Sequence, residues 1–297
     1  MIEIKDYSEE FQEWLKKTRK VSSQTECCYL NDIKNYCEYT SNCGISLESG
    51  TDLYLTHLDQ QGISKSYKAR CITSLRAFFE FLVESGYSLE NPFSTVKLPK
   101  IEKKPPQTLT VQQMQMFLSA PDISTFDGMR DKILLELMYQ TGLKLTDILA
   151  LNVENVNLQM NVITVKKNSR ERIFPIFSPL NVFIADYIST TRLEILKGKA
   201  SRALLINLKG GRLTRQSAWL IVDKYAKKCG IEQKVTPQTI RMSLASHIID
   251  EGATISDVKD AMNLSESGAS TLYSTISKIK YGQAIYKNGL FDDNFKN

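Results

Sequence analysis

Apolar residues recur at intervals of three and four through the first third of the chain, the spacing that lines one side of an α-helix. Tyr29, Ile33 and Tyr36 do so within 25–40, and Ile72, Leu75, Phe78, Phe79 and Leu82 within 64–86. A shorter segment, 11–17, carries the same character. Helix starts are marked by Ser22 and Ser23 ahead of Thr25 and by Ser64 ahead of the later run, and Gly86 follows its end. The pattern predicts a small helical bundle.

The period is lost at Asn91. The stretch 91–106 holds four prolines and four lysines, and proline both removes a backbone donor and pushes the preceding residue toward extended conformations. An open linker is expected there, with a domain boundary near Lys103 that divides the chain into 1–103 and 104–297. Beyond it, 109–121 and 128–152 read as helices, the second interrupted by Gly142. Within 156–177, β-branched and aromatic residues flank a polar turn, Lys166 to Glu171, which predicts a β-hairpin with a basic tip. Helical spacing returns over 180–197, a short strand and glycine turn are expected over 204–214, and helices again over 216–230, 236–252 and 255–264. The fold class is mainly α with a small β-sheet.

Composition narrows the chemistry. The 297 residues are 42% hydrophobic and 24% charged, an ordinary globular balance. No apolar run approaches the roughly 20 residues of a membrane helix, and the first residues are too acidic for a leader peptide, so a soluble, cytoplasmic protein is expected. The six cysteines contain no CxxC pair and there are two histidines, His57 and His247, which argues against a zinc centre or a disulfide framework. So few histidines also remove the commonest acid–base group. The net charge of +5 is carried wholly by the part after Lys103, the side better suited to a polyanion.

Several segments, in order and at matching spacing, resemble the tyrosine recombinase (phage integrase) family, most closely its short two-domain members. The segments 21–39 and 64–100 resemble its helical, SAM-like core-binding domain and linker. Those at 141–158, 165–176, 208–219 and 235–277 resemble the boxes of its α+β catalytic domain. The resemblance implies breakage and rejoining of DNA by a tyrosine that attacks a phosphodiester and forms a 3′-phosphotyrosyl link, without metal or cofactor.

On that resemblance Tyr273 stands where the family has its nucleophile. Arg241 matches the arginine of the H-x-x-R box, and Lys167, with Lys166 beside it, matches the hairpin lysine that protonates the leaving oxygen. Asp147 falls at an acidic buttressing position, while His247 fits helix packing. Three positions depart from the pattern: Lys144 replaces the first arginine, Gln238 the histidine of H-x-x-R, and Leu264 the later His or Trp. A lysine keeps the charge but not the two-pronged grip, and losing one preorganised donor costs about 10²- to 10³-fold in rate. Two readings stay open: an active recombinase, and a homologue that has lost efficient cleavage and serves as a DNA-binding structural or regulatory partner. A helical transcription factor is the third, disfavoured by the basic hairpin and the tyrosine box.

Duplex DNA with inverted half-sites is the implied partner, with a homo- or hetero-tetramer on two sites built through the helix after Tyr273. Lys97, Lys100, Lys103 and Lys104 in the linker, Lys166 and Arg170 on the hairpin, and Lys209, Arg212 and Arg215 further on are the expected backbone contacts.

Overall fold

The computed structural model describes residues 7–101, 107–167, 170–262 and 264, the side chains of Lys167 and Arg170 excepted. The chain separates into two compact units, Met1–Lys103 and Lys104–Asn297.

In the N-terminal unit, α1 (Ser8–Trp14) runs into a π-helical turn, Leu15–Arg19, and is followed by α2 (Ser23–Cys43), α3 (Thr51–Gln60) and α4 (Lys65–Glu84). The Ser22 and Ser64 side chains accept from the Thr25 and Tyr67 backbone N–H groups, capping α2 and α4 as their sequence predicts. The core is aromatic: Phe11, Tyr36, Phe79 and Phe93 are fully enclosed, with Tyr36 edge-on to Phe93 at 5.4 Å. Buried Asp32 on α2 accepts from Arg70 at 2.6 Å and from Ser74 at 2.7 Å on α4, so the helices are joined by a charged link as well as by packing.

Two features differ from the expectation. Helix α3 is absent from the periodic pattern because only two of the residues it buries, Tyr54 and Leu58, are large and apolar, while Leu53 is left in solvent. The expected open linker begins later than Asn91. Arg76 donates to the carbonyls of Phe93 at 3.0 Å and Val96 at 2.6 Å, and Asn91 donates back to the Arg76 carbonyl at 2.9 Å. Pro92 therefore lies in a folded strap held by Arg76, and the residues beyond it, from Lys97, are largely exposed.

The C-terminal unit is built around α6 (Phe126–Thr141), whose Ile133, Leu134, Leu135 and Leu137 are fully enclosed. Four of its polar residues, Arg130, Asp131, Glu136 and Thr141, are buried too: Asp131 takes the Arg130 guanidinium at 2.7 Å and the Tyr225 hydroxyl at 3.0 Å. Around it lie α5 (Val111–Ser119), α7 (Leu145–Ala150), α8 (Leu180–Asp186), α9 (Arg192–Leu196), α10 (Arg215–Lys228), α11 (Pro237–Asp250) and α12 (Ile255–Ala261). A π-helical turn, Tyr187–Thr191, joins α8 to α9.

The sheet has the order β1 (Val156–Asn157), β2 (Val162–Lys167), β3 (Arg170–Pro175). Both pairings are antiparallel, with Ile163 opposite Phe174 and Lys167 opposite Arg170. The hairpin is thus where the sequence predicts it. The strand expected over 204–214 is not formed; two isolated bridges, Ile206 to Arg212 and Asn152 to Ala203, stand in its place. The Arg192 guanidinium occupies the Ala203 carbonyl at 2.9 Å, taking an acceptor that a longer ladder would use.

Candidate active site

Three helices begin around one cleft of about 300 Å³. The first is α7. The α6 helix stops at Gly142, whose φ of 57° is left-handed, and the chain turns through Leu143 to Lys144, the extended residue that precedes α7. A Cβ on Gly142 would stand 2.8 Å from Leu244 and 3.3 Å from Met262. The turn is therefore pressed against α11 and the end of α12, which brings Lys144 beside Arg241.

The second is α11. Thr236 and Thr239 form a reciprocal capping box and Pro237 occupies the first helical position, a combination that fixes where a helix starts. Gln238 follows in the first turn and is exposed; Arg241 lies three residues on, on the same face. Arg241 is 8% exposed and donates to the Met262 carbonyl at 2.9 Å. Burial pushes its guanidinium below the ordinary arginine value and the Asp147 carboxylate pulls it back up. An arginine so placed stays charged.

The third is α10, capped by Thr214, with Arg215 at its first position. Arg215 and Trp219, one turn apart, line the same cleft as Lys144, Gln238 and Arg241. Among the described residues no carboxylate lines it, although the Asp147 carboxylate acts on Arg241. Three basic side chains facing one opening, each carried at or near the start of a helix, form a site for an oxyanion. Among the described residues no group of three or more His, Cys, Asp or Glu is arranged to hold a metal.

The residues singled out in the sequence divide accordingly. Lys144, Gln238, Arg241 and Arg215 meet in the cleft. Leu264 does not line it: its N–H donates to the Lys259 carbonyl at 3.0 Å and its half-buried side chain packs with Met242, Ala245, Val258 and Met262. Arg212 is engaged within the fold, donating to the carbonyls of Leu149 at 2.7 Å and Leu151 at 2.9 Å and so closing the end of α7. Lys209 is exposed in the loop before α10, and Lys97 and Lys100 are exposed beyond the strap. Lys166 is exposed with Glu171 across the hairpin at 3.8 Å, an exposed pair that contributes little. Tyr273, Lys103 and Lys104 lie outside the described residues, as do the side chains of Lys167 and Arg170.

His247 bridges the Tyr139 hydroxyl at 2.8 Å and the Leu109 carbonyl at 2.9 Å, the packing role expected of it. Trp219 is the cleft residue that the sequence reading missed. Its signal was the four-residue spacing from Arg215 after the Thr214 cap, which puts both on one side of a helix start.

Residues 107–278 match the phage integrase family and residues 8–86 match the phage integrase N-terminal SAM-like domain. The chain is 33% identical over 276 residues to the tyrosine recombinase XerD of Staphylococcus epidermidis, covering 91% of this chain and 94% of that protein. It is 35% identical over 282 residues to a putative tyrosine recombinase of Caldanaerobacter subterraneus subsp. tengcongensis, covering 94% and 96%. Among solved structures, the XerH site-specific recombinase bound to a palindromic difH substrate in a post-cleavage complex aligns with a TM-score of 0.69 at 17% identity, covering 94% and 85%. A lambda integrase dimer bound to a COC′ core site aligns with a TM-score of 0.67 at 14% identity, covering 91% and 95%; at these identities the likeness is one of fold. The chain belongs to the phage integrase family, the tyrosine recombinases.

Proposed function

We propose that this protein is a site-specific tyrosine recombinase that breaks and rejoins duplex DNA. The observation that carries the reading is the cleft in which Lys144, Gln238 and Arg241, at three of the family's catalytic positions, converge with no carboxylate among the described residues that line it. In the proposed reaction the Tyr273 hydroxyl oxygen bonds to the scissile phosphorus and the bond from phosphorus to the 5′ oxygen breaks. The product is a 3′-phosphotyrosyl link; Lys167 gives the departing oxygen its proton, and the proton lost from the Tyr273 hydroxyl passes to solvent. Arg241 and Lys144 hold the non-bridging oxygens while negative charge builds on them. Gln238 donates through its amide but carries no titrating proton. Reversal of the same steps by a 5′ hydroxyl of another strand rejoins the DNA.

DNA is the partner. The XerH and lambda integrase structures were solved on DNA, the latter as a dimer on a core site, which supports inverted half-sites here, with four protomers joining two sites. Lys97, Lys100, Lys103, Lys104, Lys166, Arg170 and Lys209 supply phosphate contacts in this reading. Among the described residues no helix is long and apolar enough to cross a membrane, which agrees with work on the chromosome or a mobile element in the cytoplasm. The alternative, a homologue that binds DNA without cutting it, gains no support from the relatives.

The test is covalent capture from a randomised duplex library. Fragments retained through denaturation should share an inverted repeat and carry protein on a 3′ phosphate. Retention that is wholly non-covalent and indifferent to sequence contradicts the reading.

A further inference from the structure

The cleft contains one cation more than the catalytic positions require. Arg215 opens α10 directly after its Thr214 cap, is exposed, and lines the cleft beside Lys144 and Arg241. Among the described residues its guanidinium has no hydrogen-bond or ion-pair partner. Its neighbour Arg212 differs: that guanidinium is used on the Leu149 and Leu151 carbonyls. Arg215 is thus a free two-pronged donor at a helix start, aimed into an opening whose other mobile cation, Lys144, is a single-point donor. Nothing in the packing of α10 employs it, since the buried face of that helix is Ala218, Ile221, Val222, Tyr225 and Ala226.

We propose that Arg215 binds the scissile phosphate and supplies the bidentate grip that Lys144 cannot give. This rests on the recombinase reading for the identity of the phosphate. The ligand is a phosphodiester oxygen pair, and Arg215 moves no proton. An arginine at 144 and an arginine at 215 would compete for the same oxygens, so the two positions are coupled, whereas a distant backbone contact is not.

The experiment is a double-mutant cycle of Arg215→Ala and Lys144→Arg on a captured site. It reads single-turnover cleavage of a nicked duplex and, separately, duplex affinity with the scissile phosphate replaced by a neutral methylphosphonate. Arg215→Ala is expected to slow cleavage about 10²-fold with lysine at 144 and only a few-fold in the Lys144→Arg background. The affinity penalty of the methylphosphonate, present in the wild type, should shrink in Arg215→Ala. Arg215→Lys, which keeps the charge and the helix start, should show most of the cleavage defect, and unchanged circular dichroism would exclude misfolding as its cause. Equal losses in both backgrounds, or an unaltered methylphosphonate penalty, overturn the proposal. If the wild type yields no adduct, the recombinase reading fails, and the methylphosphonate comparison, scanned along the bound site, still decides whether Arg215 grips a phosphate.

Discussion

The Arg241 guanidinium donates to the Met262 carbonyl at 2.9 Å. One edge of the side chain is thereby tied to the end of α12, while Arg241 also lines the cleft. Orientation as well as charge is fixed before DNA arrives, as electrostatic catalysis requires. Arg241→Lys should preserve DNA affinity within a few-fold and reduce single-turnover cleavage by about 10²- to 10³-fold. Gel-shift and cleavage assays run side by side check this; a parallel fall in both would mean that Arg241 serves binding alone.

Gly142 holds the turn that delivers Lys144. Its φ of 57° and the 2.8 Å approach of Leu244 to a would-be Cβ make Gly142→Ala strained in both backbone and packing. A destabilisation of about 1–2 kcal/mol from the backbone alone is expected, lowering the thermal midpoint by at least a few degrees. Cleavage should fall further than the loss of folded protein explains, because Lys144 follows the displaced turn. A variant with wild-type melting and wild-type cleavage would contradict this placement.

His247 belongs to the scaffold. A carbonyl can only accept, so Nε2 donates to Leu109, while Nδ1 pairs with the Tyr139 hydroxyl. Ser243 accepts from the Leu109 N–H at 2.8 Å, so α11 fastens the residues just before α5 by both backbone groups. His247→Ala leaves the half-buried Tyr139 hydroxyl and the Leu109 carbonyl short of partners and should cost about 1–2 kcal/mol, seen as a lowered midpoint in urea. Cleavage per folded molecule, measured well below that midpoint, should be unchanged.

Asp32 gives the N-terminal unit a pH dependence of definite sign. Burial raises its carboxyl above the ordinary value, against the lowering effects of Ser74 and Arg70. The folded chain then holds this proton more tightly than the unfolded one. The group's contribution to stability is full below the ordinary carboxylate value and is lost as pH rises through the raised one. The stability of the wild type relative to Asp32→Asn should therefore fall as pH increases across that window, read from urea unfolding of the full chain. A difference that grows with pH would reverse the assignment.

Much of the fold was legible because long helices advertise themselves. Ile72 through Leu82 repeat at helical spacing and all five named positions of that run are buried, and the hairpin was visible in β-branched and aromatic residues on either side of a polar turn. What escaped was set by partners distant in the chain. The Asn91–Val96 strap follows α4 because Arg76 captures two of its carbonyls, and no local property of a proline-rich stretch announces that. Helix α3 presented too few anchors for a period to emerge. The proposed catalytic positions were recognisable by their order along the chain, but the meeting of Arg215 and Trp219 with Lys144 depends on where α10 and α7 pack. Arg212 and Arg215 look alike in sequence; only the carbonyls at the end of α7 separate a structural arginine from one that faces the cleft.

The most direct test of the central claim uses a duplex captured from the randomised library, nicked close to the cleavage position so that religation is prevented. The wild type should form a covalent complex stable to denaturation, with phosphotyrosine at residue 273, and Tyr273→Phe should bind the duplex normally and form none. Tight binding by the wild type without any adduct, or an adduct that survives Tyr273→Phe, would contradict the account.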